Sequence, residues 1–161
     1  MSPATAVHCR ASDQARILCV GDDVEQLLDI QYQLDSDIDF VIVGCPDEGY
    51  AALAIEEPFD VIISDQQTRS GRGQVFLTRL RRHSPDAERV MLARRTDRAA
   101  MEEAARDARV MRLLVRPCPP LVLRDAVSDA LLRHRARRLR ASAVPYVTPM
   151  GGHPCSAYRT A

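Results

Sequence analysis

The chain has 161 residues, 46% of them apolar and 27% charged, which is the size and balance of one globular domain. Its 22 bases and 22 acids cancel, but every base is Arg, and the missing lysine amine excludes Schiff-base chemistry and a P-loop. The charges are also segregated: residues 1–68 hold 14 acids and two Arg, net −12, and residues 69–161 hold 20 Arg and eight acids, net +12.

Residues 1–15 are small and polar and read as a flexible leader, with no basic start and apolar run of a secretory signal. The apolar run 17–20, ended by Gly21, Asp22 and Asp23, reads as a buried strand entering a loop. Val24, Leu27, Leu28 and Leu34 keep helical spacing. Asp35, Asp37 and Asp39 interrupt it, and 40–43 is a second strand stopped by Gly44 and Pro46. Asp47 can cap a second helix with Tyr50, Leu53 and Ala54 on one face, ended by Pro58. Residues 61–63 form a third strand that delivers Asp65 to a polar loop over 66–73. Val75, Phe76, Leu77 and Leu80 mark a third helix, closed by Ser84 and Pro85. A fourth strand at 90–92, a helix over about 97–108 and a fifth strand at 111–115 follow. Residues 116–120, with three prolines, cannot be regular. A last helix over 121–140 carries the stripe Leu123, Val127, Ala130 and Leu131, and the Pro/Gly/Ser-rich remainder reads as disordered.

Strand then helix, five times, with short strands apolar on both faces, predicts an α/β fold: a five-stranded parallel sheet sandwiched by five helices, doubly wound. Ligands of such folds sit beyond the carboxyl ends of the strands. There the loops carry Asp22, Asp23, Asp65, Ala93, Arg94 and Arg116. Two or three convergent carboxylates suit Mg2+, and a carboxylate beside such an ion can attack a phosphoryl group. The plainer alternative is that strand-end aspartates cap the following helices, Asp22 above all.

The segment from Ile17 to Asp23 resembles the opening of response regulator receiver domains; the segment from Phe59 to Asp65 resembles their phosphoacceptor strand. Val115 to Pro120 resembles their Lys-Pro loop with Arg for Lys, and Asp47 to Leu53 resembles their second helix. The resemblance covers about residues 16–132, leaving 133–161 as a basic helix extension and tail. It implies a flavodoxin-like (CheY-like) sandwich in two-component phosphorelay signalling. It implies that Asp65 accepts a phosphoryl group from a sensor histidine kinase or phosphotransfer protein. It implies Mg2+ held by Asp22, Asp65 and the Gln67 main-chain carbonyl, with Asp23 a further candidate. It also implies a cis peptide before Pro117.

Departures from the family pattern bear on the switch. Gly21 stands for the first of two acids, Ala93 for a hydroxyl residue, Arg116 for lysine and Leu113 for an aromatic ring. Of the usual loop after the phosphoacceptor only Gly73 is kept in 68–73. Ala93 cannot hydrogen-bond a phosphoryl oxygen. Arg116 is longer, planar and permanently charged, and can grip a phosphate or pair directly with Asp65. Arg69, Arg72, Arg94 and Arg95 add positive charge nearby, and Arg94 or Arg116 is expected to stand in for the lost contacts.

The leading expectation is a phosphoacceptor receiver domain, not an enzyme, since no Ser/His/Asp or Cys/His arrangement is visible. A downstream protein partner or self-association would carry its output. The alternative within the fold is a pseudo-receiver that binds proteins without phosphate. A third reading gives the run Arg133, His134, Arg135, Arg137, Arg138 and Arg140 a polyanion, although no reader module follows and nucleic acid is not the expected partner. That run could instead be a solvated helix extension, or dock the acidic half of a second copy. No apolar run reaches the ~18–20 residues of a membrane span. The five cysteines (Cys9, Cys19, Cys45, Cys118, Cys155) form no CxxC pair, so a reducing cytoplasm is expected. Cys19 and Cys45 read as small buried hydrophobes, and His8/Cys9 and His153/Cys155 lack partners for a metal.

Overall fold

Strands that are apolar on both faces must be covered twice, and amphipathic helices alternating with them supply the cover. The computed structural model describes residues 14–34, 37–55, 58–66, 68, 73–94 and 98–143. Five strands, β1 (Ala15–Val20), β2 (Ile38–Val43), β3 (Val61–Asp65), β4 (Glu88–Arg94) and β5 (Arg112–Arg116), alternate with five helices. These are α1 (Val24–Gln33), α2 (Pro46–Ile55), α3 (Gly73–His83), α4 (Arg98–Asp107) and α5 (Pro120–Ser142). The sheet is wholly parallel in the order β2-β1-β3-β4-β5. The winding reverses between β1 and β3, so a crevice opens where Val20 and Asp65 end their strands.

Period-2 alternation divides the strands between two cores. Ile17, Cys19, Val61, Ile63, Val90 and Leu92 pack with Leu27 and Ile30 of α1 and Leu123 and Val127 of α5. Leu18, Val20, Ile62 and Met91 pack with Phe76, Leu77 and Leu80 of α3, Ala52 of α2 and Ala104 of α4. Two helices therefore cover one face and three the other, the doubly wound arrangement expected.

Several local expectations need correction. Asp22 does not cap α1; Asp23 does, its side chain accepting the Gln26 N–H at 3.2 Å. Asp47 is not the cap of α2, because Pro46 already occupies the first helical position, where its missing N–H costs nothing. Glu48 reaches back instead and accepts the Gly44 N–H at 2.8 Å. Val24 and Leu28 of the anticipated apolar stripe are about half exposed, and Ile30 is buried in their place. Ala54 is exposed while Ala52 is buried, and Cys45 is only half-buried. Ala93 and Arg94 belong to β4 rather than to the loop after it.

The basic end of the chain is tied down where it was expected to project. α5 runs unbroken past residue 132, and His134 is buried on it. His134 Nδ1 lies 2.9 Å from the Asp86 carbonyl oxygen and Nε2 lies 2.8 Å from Asp60 Oδ1. The Nε2–Asp60 approach lacks hydrogen-bond geometry, so it is a close contact of the ring with the carboxylate. Asp60 also accepts the Arg16 N–H through Oδ2 at 2.8 Å, and Arg137 Nη2 pairs with the buried Glu88 at 2.6 Å. These contacts fasten α5 to the starts of β3 and β4. Arg133, Arg135, Arg138 and Arg140 remain exposed. The anticipated leader and tail lie, apart from residues 14–15 and 133–143, outside the described residues.

Replacing His134 by Ala leaves the buried Asp60 carboxylate short of a partner. The expected loss is about 3 kcal/mol in urea unfolding, with faster amide exchange over residues 134–142. A loss under about 0.5 kcal/mol would mean that the clamp carries no weight, since ordinary surface changes have effects of that size.

Candidate functional site

Asp65 is the last residue of β3 and lies beside Leu92 of β4 in the sheet register. Its position follows from the apolar run before it: once 61–63 are buried between β1 and β4, the next two residues stay in the ladder. Ser64 and Asp65 are both buried as a result. The Gln66 N–H donates to the Leu92 carbonyl at 2.7 Å, fixing the chain as it leaves the strand. Gly73 opens α3 directly behind this point, and a Cβ there would overlap the Asp65 carbonyl oxygen. A side chain at position 73 has no room.

The carboxylate itself is held on two sides. Arg116, the last residue of β5, places Nη2 2.9 Å from Asp65 Oδ1, with the two side chains only 14% and 10% exposed. The Nη2 N–H groups are not aimed for a hydrogen bond, so the contact is one of charge. The same guanidinium is steadied through Nη1, which donates to Gln26 Oε1 of α1 at 2.6 Å. On the other side Asp65 Oδ2 leans over Gly21, where an added Cβ would collide with it and stand 3.1 Å from Cγ. The absent acid at position 21 is therefore space that Asp65 uses.

Burial raises the Asp65 pKa from 3.8 to about 6, against the opposing pull of Arg116, with Asp22 raising it, Arg94 lowering it and Asp23 raising it in turn. Desolvation exceeds the benefit of the ion pair. Beneath it, burial foremost and then the Asp65 charge push the Cys19 thiol up to about 12, which leaves it unreactive.

The expected site residues divide clearly. Asp22, Asp23, Arg94 and Arg116 lie close enough to act on the charge of Asp65. Ala93 is fully buried in β4, and Leu113 packs against the core shared by α2, α3 and α4, with no ring to swing. The Arg116–Pro117 peptide is cis, as expected. Gln67, Arg69, Arg72 and Arg95 lie outside the described residues. Cys118 packs against the α1/α5 core. Gln26 was not anticipated; its only sequence signal is its place one turn into α1, facing the loop that follows β5.

A Mg2+ ion needs the Asp65 carboxylate together with Asp22. In the structure a guanidinium already stands on Asp65 Oδ1, and the described residues contain no cluster of three or more His, Cys, Asp or Glu arranged to hold a metal. A cation here would share the Asp65 carboxylate with Arg116 or take its other oxygen, Oδ2, beside Gly21.

No protein-family profile matches the chain. A sequence relative is the hydrogenase transcriptional regulatory protein HoxA of Cupriavidus necator, 27% identical over 118 residues, or 73% of this chain. The match spans about a quarter of that regulator's length (24%). Among solved structures, the chain is similar to the signal receiver domain of an HD domain-containing protein from Pseudomonas fluorescens Pf-5. That pair has a TM-score of 0.73 and 21% identity over 82% of this chain and 97% of the other. A CheY-like response regulator receiver domain protein from Methanospirillum hungatei JF-1 gives a TM-score of 0.70 at 19% identity, over 77% and 98%. The chain has the flavodoxin-like fold of response regulator receiver domains.

The raised pKa has a definite sign in stability. Protonation of Asp65 stabilises the fold fully below pH 3.8, and that stabilisation is lost as pH rises through about 6. Relative to Asp65→Asn, the native chain should gain about 1.4 kcal/mol of unfolding free energy between pH 7 and pH 5. Urea melts of the two proteins at both pH values measure the difference. Parallel pH profiles would show that Asp65 is solvated after all.

Proposed function

We propose that the chain is a signal-transduction receiver module that binds a protein partner in one fixed conformation, Asp65 being neutralised internally by Arg116. The observation that carries this reading is the 2.9 Å Asp65–Arg116 contact, buried and braced by Gln26. A receiver that switches must change charge at its acceptor and pass that change to a movable element. Here the counter-charge is built in, position 93 offers no hydroxyl to a phosphoryl oxygen, and position 113 offers no ring to move. The module is a binding element rather than an enzyme. A cytoplasmic protein partner or a second copy belongs to the same proposal, and a nucleic acid does not. No helix among the described residues is long and apolar enough to cross a membrane.

A second reading keeps the phosphoacceptor. In it an Asp65 oxygen attacks the phosphorus of a phosphohistidine on a sensor kinase or phosphotransfer protein. The new bond is O–P, the P–N bond breaks, and the histidine nitrogen leaves with the electron pair. Mg2+ held by Asp22, Asp65 and the Gln67 carbonyl, with Asp23 near, would supply charge neutralisation. What favours it is the convergence of Asp22 and Asp23 on Asp65, close enough to affect its charge.

Incubation with acetyl phosphate and Mg2+, followed by intact mass measurement, separates the two. The native chain is expected to gain no phosphoryl group, and Arg116→Lys is expected to gain one that disappears in the Asp65→Asn background. A gain by the native chain that depends on Asp65 would favour the second reading.

A further inference from the structure

At the far end of β4 from Asp65, a groove of about 700 Å³ lies between the last turn of α3, the start of β4 and the turn after α4. Arg79, Arg81, Arg82 and His83 of α3 line it with Arg89 of β4 and Arg109. No carboxylate is among its lining residues, and the one ring there is the His83 imidazole. Arg89 is the second residue of β4 and Arg94 ends it near Asp65, so about 17 Å of strand separates the two places.

A plain explanation covers part of this. Cations in the last turn of a helix oppose its dipole, and Arg81 Nη1 donates to the Asp107 carbonyl at the end of α4, at 3.3 Å. Arg89 and Arg109 are not covered by it. Arg89 sits on a strand, and its Nε and Nη1 are buried with no hydrogen-bond partner. Burial lowers its pKa, Glu88 opposes that, and Arg81, Arg137 and Arg109 lower it further. The carboxylate beside it, Glu88, is already paired with Arg137. Arg109 adopts φ 48°, the left-handed conformation that ends a helix and that glycine fills without strain. An arginine held there stands beside a half-buried guanidinium whose Nε and Nη1 have no hydrogen-bond partner.

We propose that this groove binds a small anion bearing two or more phosphate groups, gripped by Arg89 and Arg109 with Arg79, Arg81 and Arg82 around them. Guanidinium forks match phosphate oxygens bidentately, and an anion would supply the partner that Arg89 lacks. Five arginines line the groove against a single imidazole, His83, so recognition falls chiefly on the phosphates. The groove is large enough for more than one phosphate group. The buried nitrogens of Arg89 lie below the surface, where the backbone of a duplex does not reach. Of the two basic surfaces, this groove, on the helical layer opposite α5, is the one that encloses its guanidinium groups.

The experiment is calorimetric titration of the full chain with inorganic tripolyphosphate, alongside thermal melts. Saturable one-to-one binding is expected, weakened about tenfold or more by Arg89→Met and by Arg109→Gly, since each removes a charge-assisted contact. Arg109→Gly should also raise the melting temperature of the unliganded protein while it loses affinity, a combination that general damage would not produce. Arg135→Ala on exposed α5 should bind like the native chain. Absence of saturable binding at millimolar tripolyphosphate would overturn the proposal. So would equal affinity in Arg109→Gly, an equal loss in Arg135→Ala, or tighter binding of duplex DNA per phosphate that the same two variants abolish.

Discussion

A carboxylate buried at the end of a parallel sheet must find a counter-charge, take up a proton or be given room, and Asp65 does something of each. The apolar residues before it fix its height in the sheet, and Gly73 fixes the chain behind it. Arg116 supplies charge from β5, Gly21 supplies room from β1, and the residual desolvation appears as a raised pKa. The contact joins the central strand to the edge strand, and through Gln26 it joins both to α1. The three departures at 21, 93 and 116 are therefore physically related. Without a second acid beside it, Asp65 can lean aside; having leaned, it meets a cation long enough to reach it; and the small, buried Ala93 crowds neither group.

The opposite end of the sheet solves another charge problem with different residues. Asp60 and Glu88 start their strand regions buried, and each is answered from α5, by His134 and Arg137. The split between an acidic first half and a basic second half is thus in part a requirement of topology. Asp60 and Asp65 come early, at the start and end of β3, and His134 of α5 and Arg116 of β5, which answer them, come late; Glu88 and Arg137 both lie in the second half. Arg112 with Asp129 is a pair of the ordinary exposed kind and contributes little by comparison. Further arginines line the groove beside Arg89 and the exposed side of α5.

The layered fold was readable because its signals are local and redundant. Every strand is a short apolar run, every helix has a usable stripe, and Gly or Pro stands between them. Boundaries were less readable where tertiary contacts extend an element beyond its apolar run. Ile38 and Asp39 joined β2 because β1 offers Ala15 and Arg16 as ladder partners, and Arg16 also pairs with Asp39. Asp65 and Arg116 could be named from the sequence, since strand ends converge in this topology. The contact between them was foreseeable as one of two options, and geometry chose. The space above Gly21, the brace from Gln26 and the inward turn of His134 depend on residues 40 to 90 positions apart, and no periodicity encodes such distances.

Gly21 and Arg116 also have a consequence for descent. Each makes the other tolerable: the glycine lets the carboxylate tilt, and the arginine meets the tilted oxygen. An acid restored at position 21 alone would push Asp65 back against a cation too long for the space. A shorter amine at 116 alone would leave a tilted carboxylate half answered. Changes at 21 and 116 are therefore expected to be non-additive, because both act on the one carboxylate between them.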